Sequence, residues 1–567
     1  MSKRAVKAVL FDVGGVIRSP PPSGVAGYAE SIGLPRNFLT DVIQRGAPDN
    51  AFFKMERGEL TTTEFAVEFR KEVDKALKEA NLTMPEEFDA FKMVMTITDN
   101  KAVPSVLQAM TTLRKNGLKV GVLTNNYISD IPNRKPNSNF IMALRHFADH
   151  IVESCRAGVR KPAPEIYKMA CDALGVAPSE TVFLDDSEEN LKPAREMGIH
   201  TIKVSDPTTA LKELQEVTQV NVFEEQTPPA ANPDTVCHSY ITTKENHRIH
   251  FVDMGDGPAV ICCHGFPESW FSWRYQIPAL AVAGYRVIVP DMRGYGDSSS
   301  PPDIEEFTLE KLCKDLVDLM DILCISDATL VGHDWGGGVV WHMGLFYPDR
   351  LRGIASLNTP FFPIDPNTDQ LATLLGDDPG IFDYQLYFQD VGAAEAEFEK
   401  DLDRTLKVIL RVSDPTERDE KYASKDPPST SNVRARGGLL VGYPEKPPCP
   451  VNMTQADIDY CVQQFKKNGF RGPLNWYRNN DANWKWNRKV HARKITVPSL
   501  MVTATHDPVL TPETSKPMDD WVPNLTRANL DTGHWTQREK PREVNQILID
   551  WLDKVHHKSV DRLISNI

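Results

Sequence analysis

The stretch Leu330-Val331-Gly332-His333-Asp334-Trp335-Gly336-Gly337 decides how the chain is read. It has the spacing of the Gly-x-Ser-x-Gly nucleophile elbow, with aspartate in the serine position. Ala328 to Val331 predict a short buried strand, and Gly338 to Met343 an amphipathic helix. Glycines at 332 and 336 permit a turn tight enough to present the middle side chain at a sheet's carboxyl edge. A serine there needs a base to become nucleophilic, whereas a carboxylate is already ionised at neutral pH. Such a carboxylate suits an sp3 carbon carrying a strained or good leaving group, so epoxides and alkyl halides fit. The product is an alkyl ester on the enzyme. The competing reading, a turn aspartate that caps a helix, weakens as partners accumulate downstream.

Those partners lie on both sides of the elbow. A strand at Ala259 to Cys263 runs into His264-Gly265-Phe266-Pro267, one strand-helix-strand-helix unit earlier. In α/β-hydrolases this loop gives one backbone N–H of an oxyanion hole and the residue after the nucleophile gives the other; here those are Phe266 and Trp335. Ile495 to Ala504 predict a strand leading into Thr505-His506-Asp507, and Asp531-Thr532-Gly533-His534-Trp535 lies in a loop before the final helix. Nucleophile, acid and histidine therefore come in the order Asp334, Asp507, His534, which is the α/β-hydrolase order rather than either protease order. His506 competes as the base, but its neighbour Asp507 fits the orienting role at that strand end.

The chain has 567 residues, too many for one ordinary core, so two or more domains are expected. Apolar residues make up 41%, which marks a soluble globular protein, and the net charge of -14 argues against nucleic-acid partners. Nine cysteines are scattered without metal-ligand spacing, as expected of reduced thiols in a cytoplasmic protein. No apolar run approaches a membrane span. Met1 to Lys7 is basic, but only Ala8 to Phe11 follow as apolar residues before Asp12, too few for a signal peptide. Ser565-Asn566-Ile567 resembles the Ser-Lys-Leu peroxisomal address, with Asn566 lacking its basic charge.

The first half carries a second chemical pattern. Ala5 to Phe11 predict a buried strand ending in Asp12-Val13-Gly14, and helical periodicity runs from about Gly27 to Met110. Val120 to Leu123 run into Thr124-Asn125, Lys161-Pro162 precede a helix, and Thr181 to Leu184 end in Asp185-Asp186. Strands alternating with helices imply a parallel doubly wound α/β sheet with its site at the carboxyl edge. The constellation resembles the haloacid-dehalogenase-like phosphatases. That resemblance implies that Asp12 attacks phosphorus and that Thr124, Asn125 and Lys161 hold the phosphoryl oxygens. It also implies Mg2+ on Asp12, Asp186 and the carbonyl of Gly14, with the helical insert as a cap. One position departs: the family has Asp-x-Asp where this chain has Gly14. The missing carboxyl would protonate the leaving alkoxide and activate water, and losing such a group costs about 10²–10⁴-fold. Glycine keeps the backbone carbonyl. The expectation is a domain that binds Mg2+ and phosphate but turns over alkyl phosphates poorly or not at all.

Glu224 to Pro233 hold two acids and three prolines, and predict an extended linker that does not pack. The domain boundaries that follow are 1–223, a linker at 224–236, 237–555 with a helical lid at about 361–494, and a tail at 556–567.

Opening an epoxide leaves an alkoxide on the substrate, to which a phenol of pKa about 10 can give its proton, whereas a halide leaves unassisted. Tyrosines facing an aspartate elbow therefore separate the two reactions. Two aromatic stretches in the insertion supply candidates, Phe382 to Phe388 and Leu474 to Asn479, although a lining packed for stability has the same spacing. These stretches, with His264 to Trp270 and Gly332 to Gly337, make the whole chain resemble the bifunctional soluble epoxide hydrolase family of vertebrates. The resemblance implies lid tyrosines at Tyr384 and Tyr477, a nucleophile at Asp334, an orienting acid at Asp507 and a water-activating base at His534. It also implies homodimers, lipid epoxides hydrolysed to vicinal diols without a cofactor, and lipid phosphates as substrates of the other domain. Three alternatives remain. One is a haloalkane dehalogenase, whose loop usually reads His-Gly-Asn-Pro where this chain has Phe266. Another is a phosphatase first, against which Gly14 counts. The third is a first half that serves only to dimerise.

Overall fold

Four consecutive apolar residues, all buried, form the central strand β1 (Ala8–Phe11) of the first unit. The structure is a computed structural model that describes residues 5–19, 24–98, 102–130, 136–367, 380–412 and 429–564. The described chain forms two compact units, the first built in the main from residues up to Pro229 and the second from Ala230 onward.

In the first unit β1 is joined by β2 (Lys119–Thr124), β3 (His150–Glu153), β4 (Thr181–Asp185) and β5 (His200–Lys203). Their order is β3-β2-β1-β4-β5, and every neighbouring pair is parallel. Helices cover a parallel sheet on both faces, which is why β1 and β4 are unbroken apolar runs up to their polar ends. The strand begins at Ala8 rather than Ala5, because Lys7 turns outward to pair with Glu180 at 2.9 Å. The helical period expected from Gly27 to Met110 is broken into short helices. Asn50 and Thr61 start new ones by accepting the backbone N–H groups of Phe53 and Glu64. Between β1 and β2 these helices enclose their own apolar cluster around Phe53, Phe65, Phe69 and Phe88.

The second unit contains β6 (His238–Thr242), β7 (Arg248–Met254), β8 (Ala259–Cys263), β9 (Arg286–Pro290), β10 (Ala328–His333), β11 (Leu351–Leu357), β12 (Ser499–Ala504) and β13 (Leu525–Leu530). The order is β13-β12-β11-β10-β8-β9-β7-β6, parallel except that β7 runs against both β9 and β6. From β8 the chain first builds outward through β9 and then returns to lay β10 on the other side of β8. At this reversal the carboxyl ends of β8 and β10 open a crevice, and the loops after them carry Gly265 and Asp334. β12 starts at Ser499, four residues later than the apolar run suggests. Pro498 has no N–H for the ladder, and its carbonyl accepts Ile354 instead.

Between β11 and β12 the chain is helical over Asp383–Tyr387, Ala393–Glu399, Leu402–Ile409, Gln455–Asn468, Arg471–Asn475 and Asn480–Asn487. Trp486 of this segment stacks on Phe346 of the elbow helix with ring centroids 3.6 Å apart. The proline-rich linker is held down, contrary to the expectation. Gln108 donates to the carbonyls of Phe223 and Glu224, Lys115 to that of Thr227, and Ala231 donates to Arg274. Proline removes a donor but leaves every carbonyl free to accept, which the composition alone conceals. The last helix runs Pro541–Ile564, across the boundary drawn at 555. All nine cysteines are free thiols. Among the described residues no helix is long and apolar enough to cross a membrane. Ser565 to Ile567 lie outside the described residues.

Candidate active site

Asp334 sits between β10 and the helix Trp335–Phe346 with φ 52° and ψ -123°, a left-handed conformation rare for a residue with a side chain. The neighbouring glycines are a requirement of space. A Cβ on Gly332 would strike the backbone of Gly336 and Gly337, one on Gly336 the carbonyls of Cys263 and His264, and one on Gly265 the Asp334 carboxylate itself. The turn thus drives the carboxylate against the loop after β8. There Phe266 N–H donates to Asp334 Oδ1 at 2.7 Å, and the Trp335 N–H also binds the carboxylate. Both expected oxyanion donors already face the group they would serve. The Thr359 hydroxyl pins the Asp334 carbonyl at 2.8 Å. Burial pushes the Asp334 carboxyl up, while His534, His333 and the two N–H groups pull it back.

His534 approaches from the loop after β13. Its Nε2 lies 3.7 Å from Asp334 Oδ2, and its Nδ1 is 2.8 Å from Asp507 Oδ2. Asp507 is fixed by the N–H groups of Val509 and Leu510, both at 2.9 Å to Oδ1, and by Asn358 Nδ2 at 2.8 Å to Oδ2. Although burial opposes it, the His534 charge and these donors hold the Asp507 carboxyl well below the usual carboxylate range. Burial alone would lower His534; Asp507 and Asp334 prevail and lift it to about 9. His506 is half-buried and pairs with Asp531 at 2.7 Å instead.

Tyr384, on the helix Asp383–Tyr387, and Tyr477, in the turn Trp476–Arg478, meet edge to face with centroids 6.1 Å apart. Tyr477 also meets the rings of Phe266 and Trp335 edge-on, at 5.3 and 5.1 Å. Burial raises both phenols, and the charge of Asp334 raises them further. Gln385 Nε2 donates to the Tyr384 hydroxyl oxygen at 3.2 Å, and the Trp335 side chain binds the Tyr477 hydroxyl. A phenol oxygen that accepts from the protein keeps its own proton to give elsewhere.

Three side chains that sequence reasoning passed over hold this site together. Buried Glu268 accepts Gly265 N–H at 2.7 Å and Gln537 Nε2 at 2.9 Å, and lies 2.9 Å from His333 Nδ1. His333 Nε2 in turn lies 2.7 Å from the carbonyl of His534. Burial would raise Glu268, but His333 and Gly265 hold it at about 2. The oxyanion loop, the elbow and the histidine loop are thereby tied to one another. Asn358, at φ 66°, joins Asp507 to the Gly533 carbonyl. Glu268 and His333 stand inside the two quoted motifs, but a glutamate after a proline gives no sign of burial until the fold closes over it.

In the first unit, Asp12 leaves the end of β1, and Lys161 Nζ lies 2.7 Å from both Asp12 Oδ1 and Asp185 Oδ2. Burial raises the Asp12 carboxyl against the pull of Lys161. Asp185 also accepts Ser187 N–H and Asn190 Nδ2, so it serves the lysine and the helix that follows. Asp186 is exposed beside it, and ligand atoms of Asp12, Asp185 and Asp186 lie within 4.8 Å of one another. An all-oxygen set of this kind suits Mg2+. The Asn125 amide is engaged with the backbone N–H and carbonyl of Lys161, at 2.9 and 3.1 Å, so here it sets the lysine's position. Thr124 donates to the Asn125 carbonyl at 3.2 Å. Gly14 is exposed, and a Cβ built on it meets nothing within 4 Å.

A family model described as alpha/beta hydrolase fold matches residues 258–541, and one described as haloacid dehalogenase-like hydrolase matches residues 6–198. The chain is 46% identical over 554 residues to Bifunctional epoxide hydrolase 2 of Sus scrofa, covering 97% of this chain and 98% of that one. It belongs to the bifunctional epoxide hydrolase 2 family. A second relative, from Mus musculus, is 45% identical over 98% of this bifunctional epoxide hydrolase and 99% of its own length. The crystal structure of Epoxide Hydrolase A from Mycobacterium thermoresistibile matches at 36% identity and a TM-score of 0.50, over 56% of this chain and 98% of that one. The epoxide hydrolase chemistry thus belongs to the unit that carries Asp334, and the haloacid dehalogenase-like fold to the unit that carries Asp12.

Proposed function

We propose that this epoxide hydrolase works through an ester on Asp334 and that its substrates are lipid epoxides. Asp334 attacks one ring carbon while Tyr384 and Tyr477 hydrogen-bond the epoxide oxygen, and one of them gives it a proton as the C–O bond breaks. His534, oriented by Asp507, then takes a proton from water, which attacks the ester carbonyl. The Phe266 and Trp335 N–H groups hold the resulting oxyanion until the vicinal diol leaves. The observation that carries this reading is the placement of Asp334, with the Phe266 N–H on one oxygen, His534 3.7 Å from the other, and two buried phenols that feel its charge. Halide displacement would leave those phenols without a task. The aromatic lining from the helical segment between β11 and β12, which we take as the lid, suits a long apolar chain. A single turnover in ¹⁸O water tests the route. Label should enter the peptide that contains Asp334 and be absent from the first diol formed, whereas steady turnover by Asp334→Ala would remove the proposal.

For the first unit the same reading gives a Mg2+ and phosphate site with impaired turnover. Asp12, Asp186 and the Gly14 carbonyl would hold Mg2+, which supplies charge neutralisation at phosphoryl oxygens when bound. Lys161 would face those oxygens, and no side chain at 14 is present to protonate an alkoxide. We extend the family resemblance to a homodimer in which the first unit is needed for assembly; a fragment starting near Thr235 should then sediment as a monomer.

A further inference from the structure

We infer that Arg274 and Arg538 enclose a binding site for a small monovalent anion, of the charge and size of chloride, behind the base of the epoxide hydrolase site. Arg274 follows the turn Trp270–Trp273, and Arg538 lies on the short helix Thr536–Glu539, which packs against that turn. The two guanidinium groups are on residues only 1% and 6% exposed.

Neither group is satisfied by the protein. Arg274 Nη1 donates to the Phe271 carbonyl at 3.2 Å, and the plane of the group lies over the rings of Phe271 and Tyr275 at 4.5 and 4.7 Å. Its Nε and Nη2 have no hydrogen-bond partner. Arg538 Nη2 donates to the Leu410 carbonyl, and its Nη1 meets only the thioether sulfur of Met453, a weak acceptor. Its Nε has no partner either.

The carboxylates in reach leave these donors open. Asp457 faces Arg274 Nε as an ion pair at 3.7 Å, too far to accept its hydrogen bond. Glu268 is committed to His333, Gly265 and Gln537, and both Glu539 oxygens accept backbone N–H groups, from Gly533 and Trp535. The Cys461 thiol feels both arginines, and burial pushes it up to about 11. Burial and the repulsion of Arg274 bring Arg538 down to about 10, against the pull of Glu539 and Glu268.

Each buried donor left without an acceptor is costly, and the two like charges are opposed only by carboxylates that do not hydrogen-bond them. Water could cap the N–H groups but would bring no charge. A monovalent anion answers both needs, and the burial of both residues limits it to a small one. Its place has a consequence for the site, because Arg538 lies 5.1 Å over the ring of Trp535, which meets His534 edge-on at 4.8 Å. A bound anion would add negative charge beyond the Trp535 ring against which the imidazole packs.

The test uses the full chain. Thermal melts are recorded at fixed ionic strength while sodium isethionate, whose anion is too large for the site, is replaced stepwise by sodium chloride. Tm should rise and saturate with chloride, and Arg538→Met should lose that dependence. Crystals grown with bromide should show an anomalous peak within hydrogen-bond distance of Arg274 Nε or Nη2 and of Arg538 Nε. This second measurement decides the matter if the variant fails to fold. Identical melting curves in the two salts, or bromide bound elsewhere with only water between the guanidinium groups, would overturn the inference.

Discussion

The two units place an aspartate at the same kind of position and surround it differently. Asp12 and Asp334 both follow a central parallel strand and both are held in buried surroundings that raise their carboxyl groups. On the reading proposed above, Tyr384, Tyr477 and His534 move the protons around Asp334. Around Asp12 the electrostatic partners are complete, with Lys161 at 2.7 Å and carboxylates fit for a cation, yet position 14 is empty space. A nucleophile with its counter-charges is therefore only part of a hydrolase. The group that handles the second proton is what distinguishes the two centres.

The comparison can be broken most sharply at His534. Replacing it with Gln should leave alkylation intact and slow diol release about 10²–10⁴-fold, with the intact protein gaining the mass of one substrate. Fast diol release without a mass adduct would mean that the proton is handled elsewhere. The reverse experiment fills position 14. A Cβ there has room, so Gly14→Asp should fold normally and raise Mg2+-dependent hydrolysis of an alkyl phosphate about 10²-fold. Equal rates in wild type and variant would show that the absent carboxyl is not what limits the first unit.

Smaller effects sharpen the same contrast. Each of Tyr384→Phe and Tyr477→Phe should slow alkylation by about ten- to a hundredfold, the range of one hydrogen bond of ~1.5–3 kcal/mol to a charged group. The double variant should block it. Stopped-flow tryptophan fluorescence on a trial epoxide, followed by quantification of the ester, separates that step from hydrolysis. The least effect is on stability. His534 is raised from the ordinary 6.5 to about 9, so its ion pairs contribute stability that is fully present below about pH 6.5 and lost as pH rises through about 9. Tm of the wild type should fall across that window, and His534→Gln should flatten the fall. If Asp334 is esterified as proposed, its charge is gone, one of the causes of that rise disappears, and more of the imidazole is neutral and free to take a proton in the second step.

Much of this was legible in the chain because the decisive residues are fixed by local geometry. Gly332, Asp334 and Gly336 announce a turn that other residues could not make, and strands ending in Asp12, Thr124, Asp185 and Asp507 announce a carboxyl-edge site. Glu268 and Asn358 were not legible, since their roles exist only after distant loops meet: Glu268 with Gln537, and Asn358 with Asp507. The linker misled for a related reason. Its prolines signalled a segment without secondary structure, but the side chains that anchor it, Gln108 and Lys115, lie more than a hundred residues away.

The amide of Gln385 and the side chain of Trp335 each occupy a lone pair on a phenol. Whichever tyrosine has just protonated the opened ring is then a phenolate steadied by that neighbour, and the catalyst owes itself one hydrogen. The water consumed at the ester supplies it: one of its hydrogens returns to the phenolate by way of the imidazolium, and the other, left on Asp334, goes to the departing diol oxygen. Turnover in unbuffered solution should accordingly proceed without drift in pH, with the hydrogen circulating inside the site.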